Sequence, residues 1–138
     1  MIKKTVTYKD YNDTERTESF YFHFTEAEIL DMEMSVEGGF AERVQRIVDA
    51  KEQSALLKVI KNFVLDAYGV KSEDGKRFIK TDKVKEEFVQ SPAYSMIFME
   101  MVTNDELAAE FVNGVVPDTM KDRLKAIAVK NEENYREA

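Results

Sequence analysis

Cysteine is absent from the 138-residue chain, which removes disulfide frameworks, thiolate nucleophiles and cysteine-ligated metals. Histidine occurs once, as His23. A protein metal site needs several ligands, and a histidine-based triad needs a nucleophile elbow that no Gly-x-Ser-x-Gly run supplies here. His23 is therefore expected to be a partly exposed strand residue. Glycine builds no phosphate cradle, since Gly38-Gly39 lacks the lysine and serine or threonine of a P-loop and the third glycine of a dinucleotide fold. No uncharged run approaches the length of a membrane span. The opening Met1-Ile2-Lys3-Lys4-Thr5-Val6-Thr7-Tyr8 has no apolar stretch for a signal peptide. These absences point to an intracellular, soluble protein.

Charge is plentiful but interleaved, with no long like-charged block. The balance of 20 Lys+Arg against 27 Asp+Glu gives a formal charge of -7, a surface that repels phosphate backbones and favours solubility. Glu26, Glu28, Asp31 and Glu33 could line one side of a helix and hold a cation or act as acid and base, but a solvated helix face is the simpler reading. Ser72-Glu73-Asp74-Gly75 lacks the alternating oxygen ligands and closing glutamate of a calcium loop and reads as a turn. Lys76, Arg77 and Lys80 form a small basic patch beside Phe78, a pattern that can grip single-stranded nucleic acid. On an acidic chain it reads more simply as a surface loop.

Two strands are expected first. Ile2, Val6 and Tyr8 share one face of the first, and Phe20, Phe22 and Phe24 share one face of the second, opposite Ser19, Tyr21 and His23. Asp10, Asn12 and Asp13 mark the turn between them. Thr25-Glu26-Ala27-Glu28 has the spacing of a capping box, so a helix is expected from there to about Met34, broken by Gly38-Gly39. A second helix carries Phe40, Val44, Ile47 and Val48. A third, from about Ser54 to Tyr68, turns Leu56, Leu57, Ile60, Phe63, Val64 and Ala67 inward and stops at Gly69. Arg77 to Lys80 forms a short hairpin or, more simply, a loop with a short strand. Thr81 or Asp82 caps a fourth helix with Val84, Phe88 and Val89. Thr103 to Glu106 starts a later one with Leu107, Ala108, Phe111 and Val112, ended by Asn113-Gly114.

The segment from Ser91 to Val102 is the most informative. Serine can cap a helix and Pro92 suits its first turn. Tyr94, Ile97, Phe98, Met101 and Val102 then fall on one stripe, while Met96 and Met99 carry apolar surface to the other side. A helix apolar nearly all round needs cover from its own domain or from a partner, and methionine adapts to either. Met96 and Met99 are the candidate partner-binding residues, with Met32 and Met34 as possible additions. The whole is expected to be α+β: a single domain over 1–117, with a β-hairpin at 2–24 packed on a mainly α-helical bundle from 25 on. A charged helical tail over 118–138 carries Met120, Leu124, Ile127 and Ala128 as a thin stripe.

Taken in order, several runs resemble one family. They are Lys4-Thr5-Val6-Thr7-Tyr8-Lys9-Asp10-Tyr11, Glu15-Arg16-Thr17-Glu18, Phe20-Tyr21-Phe22-His23-Phe24-Thr25 and Gly38-Gly39. The set continues with the stretch from Ala67 to Phe78, Ala93-Tyr94-Ser95, and the run from Ala109 to Pro117. Over Met1 to Pro117 the order is similar to tail assembly chaperones and related small tail-region proteins of long-tailed phages and prophages of Gram-positive bacteria. Residues 118–138 have no counterpart in that resemblance. It implies a non-enzymatic protein of the bacterial host cytoplasm, without cofactors and absent from the finished virion. Such a protein binds the tape-measure protein, masks its apolar helical surface and helps tail-tube protein assemble around it. The resemblance also implies a homo-oligomer, and a longer form made by ribosomal frameshifting in many members. Other readings stay open: a structural tail-region virion protein, connector or completion subunit, or a small nucleic-acid-binding regulator acting through Lys76, Arg77 and Lys80.

Overall fold

The computed structural model describes residues 1–35 and 37–115. The expected tail over 118–138, and Pro117 before it, lie outside the described residues. The fold is α+β, as the sequence patterns indicate, with an N-terminal antiparallel strand pair followed by helices. The described chain divides into two compact units, one of Met1–His23 with Ile60–Val115, the other of Phe24–Val59.

The first unit opens with β1 (Ile2–Lys9) and β2 (Glu15–Phe22), paired antiparallel in a register that sets Ile2 against Phe22 and Lys9 against Glu15. Alternation along β1 leaves Ile2, Lys4, Val6 and Tyr8 half-buried and turns Lys3, Thr5, Thr7 and Lys9 to solvent. The exposed face is zipped by Thr5 to Ser19 at 3.0 Å and Thr7 to Thr17 at 2.9 Å. Asp10 organises the turn. Its Oδ1 accepts from the Asn12 and Thr14 amides at 2.8 and 3.0 Å, while Oδ2 accepts from Arg16 Nε at 2.6 Å. These bonds to the charged form hold its carboxyl below the ordinary aspartate value, Arg16 contributing most.

Two further strands, β3 (Tyr68–Lys71) and β4 (Phe78–Ile79), extend the sheet in the order β1-β2-β3-β4. The short hairpin alternative over Arg77 to Lys80 is thus the observed one, closed by Ser72 and Asp74. The expected helix stop at Gly69 requires correction. Helix α3 (Gln53–Ala67) ends two residues earlier, and Gly69 lies within β3. A Cβ there would stand 2.6 Å from Phe78 Cε2, so glycine is needed for close ring packing rather than for a cap. The α3 carbonyl of Leu65 accepts from Lys85 Nζ at 2.7 Å, a cation placed where exposed helix carbonyls favour it.

The core of this unit is aromatic. Phe20 and Phe22 from β2 meet Tyr68 from β3 and Phe88 from α4 (Asp82–Val89), the last two stacked with centroids 4.0 Å apart. Phe22 also meets Phe111 of α6 (Asp105–Val115), edge to face at 5.1 Å. The N-terminal hairpin therefore packs on helices, as its phenylalanine face demands. Two details differ from expectation. Strand β2 ends at Phe22, so His23 and Phe24 follow it rather than belong to it, although Phe24 is buried. Helix α6 runs through Asn113 and Gly114 to Val115 instead of ending there. Gly114 abuts the Ile2 side chain, and its carbonyl accepts from the Met1 ammonium at 3.3 Å.

In the second unit, α1 (Glu26–Met34) starts with the expected capping box. Thr25 Oγ1 accepts from the Glu28 amide at 3.2 Å, and Glu28 Oε1 accepts from the Thr25 amide at 3.0 Å. Gly38 and Gly39 have φ of 83° and 94°, a conformation that L side chains rarely adopt, and they lead into α2 (Phe40–Asp49). The side chains of Val44, Ile47 and Val48 lie outside the described residues. Ile29 is buried, whereas Leu30 and Met34 on α1 are exposed. Leu57 of α3, expected to face inward, is 42% exposed. It shares a helix face with Ile60 and the buried Val64, three and seven residues on, so its exposure does not follow from its spacing.

Candidate partner-binding surface

Helix α5 (Pro92–Thr103) is built by local chemistry at both ends. Ser91 is its N-cap: Oγ accepts from the Tyr94 amide at 3.4 Å and donates to the Phe88 carbonyl at 2.6 Å. Pro92 occupies the first turn, where its missing amide costs nothing. At the other end the Asn104 amide donates to the Glu100 carbonyl at 3.1 Å, and Thr103 Oγ1 donates to the Met99 carbonyl at 2.6 Å. Asn104 Oδ1 then accepts from the Glu106 and Leu107 amides and so starts α6.

Three turns of α5 sort its side chains cleanly. Ala93, Ile97 and Met101 are buried, one per turn. Tyr94, Phe98 and Val102 are half-buried beside them, the Tyr94 and Phe98 rings stacked at 6.0 Å and Tyr94 edge-on to Phe88 at 5.4 Å. Burial pushes the Tyr94 phenol above its ordinary value. The remaining arc carries Ser95, Met96, Met99, Glu100 and Thr103, all exposed. Met96 is 46% and Met99 51% exposed. They stand one turn apart on one face, beside Glu100, which accepts from Lys4 Nζ of β1 at 3.3 Å. The two methionines singled out from the sequence are thus brought together on the open side of the helix, while Met101 is a core residue. Met34 belongs to the other unit and is exposed there, and Met32 is half-buried.

This surface offers adaptable apolar area and no grouped reactive side chains, so what it can do chemically is bind. Among the described residues no set of three or more His, Asp and Glu side chains is placed to hold a metal ion, and no polar or charged side chain is fully buried. Glu28 is engaged in the α1 cap. Of the basic patch, Lys76 and Arg77 are exposed, whereas Lys80 Nζ donates to the His23 carbonyl at 2.8 Å and lies 5.7 Å from the Phe78 ring centroid. The His23 ring meets Phe78 edge-on at 6.4 Å, a structural setting. The exposure of Leu57 escaped the sequence reading, because helical spacing gives a stripe but not what covers each turn of it.

No helix among the described residues is long and apolar enough to cross a membrane. No curated protein and no solved structure matches the chain. A family model described as phage tail assembly chaperone matches residues 1–138. That match takes in the stretch 118–138, which the resemblance of short runs leaves without a counterpart. On that match over the whole chain, the protein belongs to the phage tail assembly chaperone family, whose role is non-catalytic.

Proposed function

We propose that this protein binds the tape-measure protein of the same phage and covers its apolar helical stripes until tail-tube subunits assemble around it. The reading includes action in the host cytoplasm without any catalytic step, and self-association that presents several weak sites at once, so that avidity replaces single-site affinity. One observation carries it: the apolar pair Met96 and Met99 stands exposed on a helix whose other side forms part of a core. Side chains that are flexible and polarisable suit a client offering many similar but unequal stripes. A helix laid against α5 would bury the remaining half of both thioether side chains, each worth about 0.7–1.5 kcal/mol, before the cost of association.

The test is co-expression with the tape-measure protein encoded in the same genome, scored for soluble co-purified complex. A soluble complex is expected, and it should weaken when Met96→Asp and Met99→Asp are combined in a variant that keeps its helical circular dichroism. An insoluble tape measure that never co-purifies with the wild-type chain would defeat the reading.

A further inference from the structure

From Glu86 to Val115 the chain carries Glu86, Glu87, Glu100, Asp105, Glu106 and Glu110 and not one lysine or arginine. This run, the second half of α4 with all of α5 and α6, departs from the interleaved charge of the rest. Glu86, Glu87, Glu100, Glu106 and Glu110 are all exposed. Both α4 and α6 pack on α5, so the exposed methionines belong to a layer in which α5, α6 and the C-terminal half of α4 carry only acidic charges, the bases Lys83 and Lys85 lying in the N-terminal half of α4. Lys4 reaches this layer from β1, but the Glu100 side chain it meets remains 53% exposed. The lysines and arginines of this unit otherwise lie on the strands, at Lys76, Arg77 and Lys80 around β4, on α3, or before Glu86 on α4.

We infer that the Met96–Met99 surface selects a basic amphipathic helix, with an apolar stripe against the methionines and lysine or arginine along its margins. The inference rests on the proposal that this surface binds a partner, and adds the partner's chemistry. Apolar contact is non-directional and accepts any greasy helix. Charge supplies the discrimination: long basic side chains lay their stems on apolar surface and extend their heads to carboxylates. A client helix with acidic margins meets like charge and is refused. The selectivity must depend on salt, because exposed charges interact over about 30 Å at 0.01 M ionic strength and only about 3 Å at 1 M.

The experiment uses the full chain and two synthetic helices of about 18 residues, some five turns, sharing one leucine stripe and differing only in lysine or glutamate margins. Binding is read by fluorescence anisotropy at low and high salt. The lysine peptide is expected to bind at least tenfold tighter at low salt, with the preference collapsing at high salt. Met96→Gln with Met99→Gln should remove binding of that peptide. Glu106→Gln with Glu110→Gln should weaken it several-fold, whereas Glu52→Gln with Glu73→Gln, the same change of net charge made elsewhere, should not. Equal binding of both peptides, lost in the methionine variant, overturns the charge selection and leaves the apolar site standing. A preference weakened equally by both glutamine pairs overturns the inference in favour of diffuse attraction to an acidic protein. Binding that survives the methionine substitutions removes the site itself.

Discussion

Met96, Met99 and Met101 lie within two turns of one helix and have opposite fates, which makes them the sharpest comparison in the molecule. Met101 is 2% exposed, so Met101→Ala should cost about 2–5 kcal/mol through lost transfer energy and a residual cavity. Met96→Gln and Met99→Gln change exposed side chains and should each move stability by no more than about 0.5 kcal/mol. Urea denaturation of the three variants measures the contrast directly, and equal losses would place Met96 or Met99 in the core. Asp10 gives a second test. Its folded carboxyl titrates below the ordinary value because Arg16 and two backbone amides bond the charged form. The carboxylate therefore supports the β1–β2 turn above about pH 3.9, and that support is lost as pH falls through the depressed folded value. An NMR titration should show the Asp10 carboxyl below free aspartate, and Arg16→Ala should raise it while the two backbone bonds still hold it down.

Helix α6 shows two effects competing at one residue. Gly114 sits inside the helix, where alanine would gain about 1 kcal/mol of intrinsic propensity. A Cβ there would overlap the Ile2 side chain of β1, and such overpacking typically costs about 1–3 kcal/mol. Packing should win, so Gly114→Ala is expected to destabilise. Combined with Ile2→Ala, the Gly114→Ala step should become neutral or favourable, a coupling that a double-mutant cycle reads out. Additive losses would show that Gly114 and Ile2 act independently. The same contact explains why an Asn-Gly pair failed to end this helix. Those residues mark a turn only when no neighbouring strand requires a bare backbone.

The chain as a whole carries a formal charge of -7, and its alkaline limit should be set by the buried phenol of Tyr68 and the half-buried one of Tyr94. Tyr68 is raised above the ordinary tyrosine value chiefly by burial, with Glu87 and Glu18 adding to it, and Tyr94 by burial alone. Folding holds both in the neutral form. Their contribution is complete below about pH 10, the unfolded value, and is lost as pH rises through the shifted folded values. Denaturation midpoints should fall above pH 10, more steeply in the wild type than in Tyr94→Phe, which has no proton to lose. An identical alkaline profile for Tyr94→Phe would mean that its phenol titrates normally.

Local chemistry made several parts of this protein legible before any coordinates. The Thr25–Glu28 box, the Ser91-Pro92 start, the Asp10 turn and the alternation of Phe20 and Phe22 each place both partners within a few residues. Their geometry follows from backbone dimensions alone. The outward placement of Met96 and Met99 was readable for the same reason, since helical periodicity separates them from Ile97 and Met101. What tertiary structure decided was whatever depends on residues far apart in the chain. Tyr68–Lys71 became a strand because β2 and β4 offered it two edges to pair with, and Gly69 serves the Phe78 ring rather than a helix end. Leu57 is exposed although it shares a helix face with the buried Val64, because cover at each turn is set by what packs there and not by spacing. The joining of α5 and α6, which carry no base, with the C-terminal half of α4 is likewise a product of packing, which turns a charge pattern along the chain into a charge pattern on a surface.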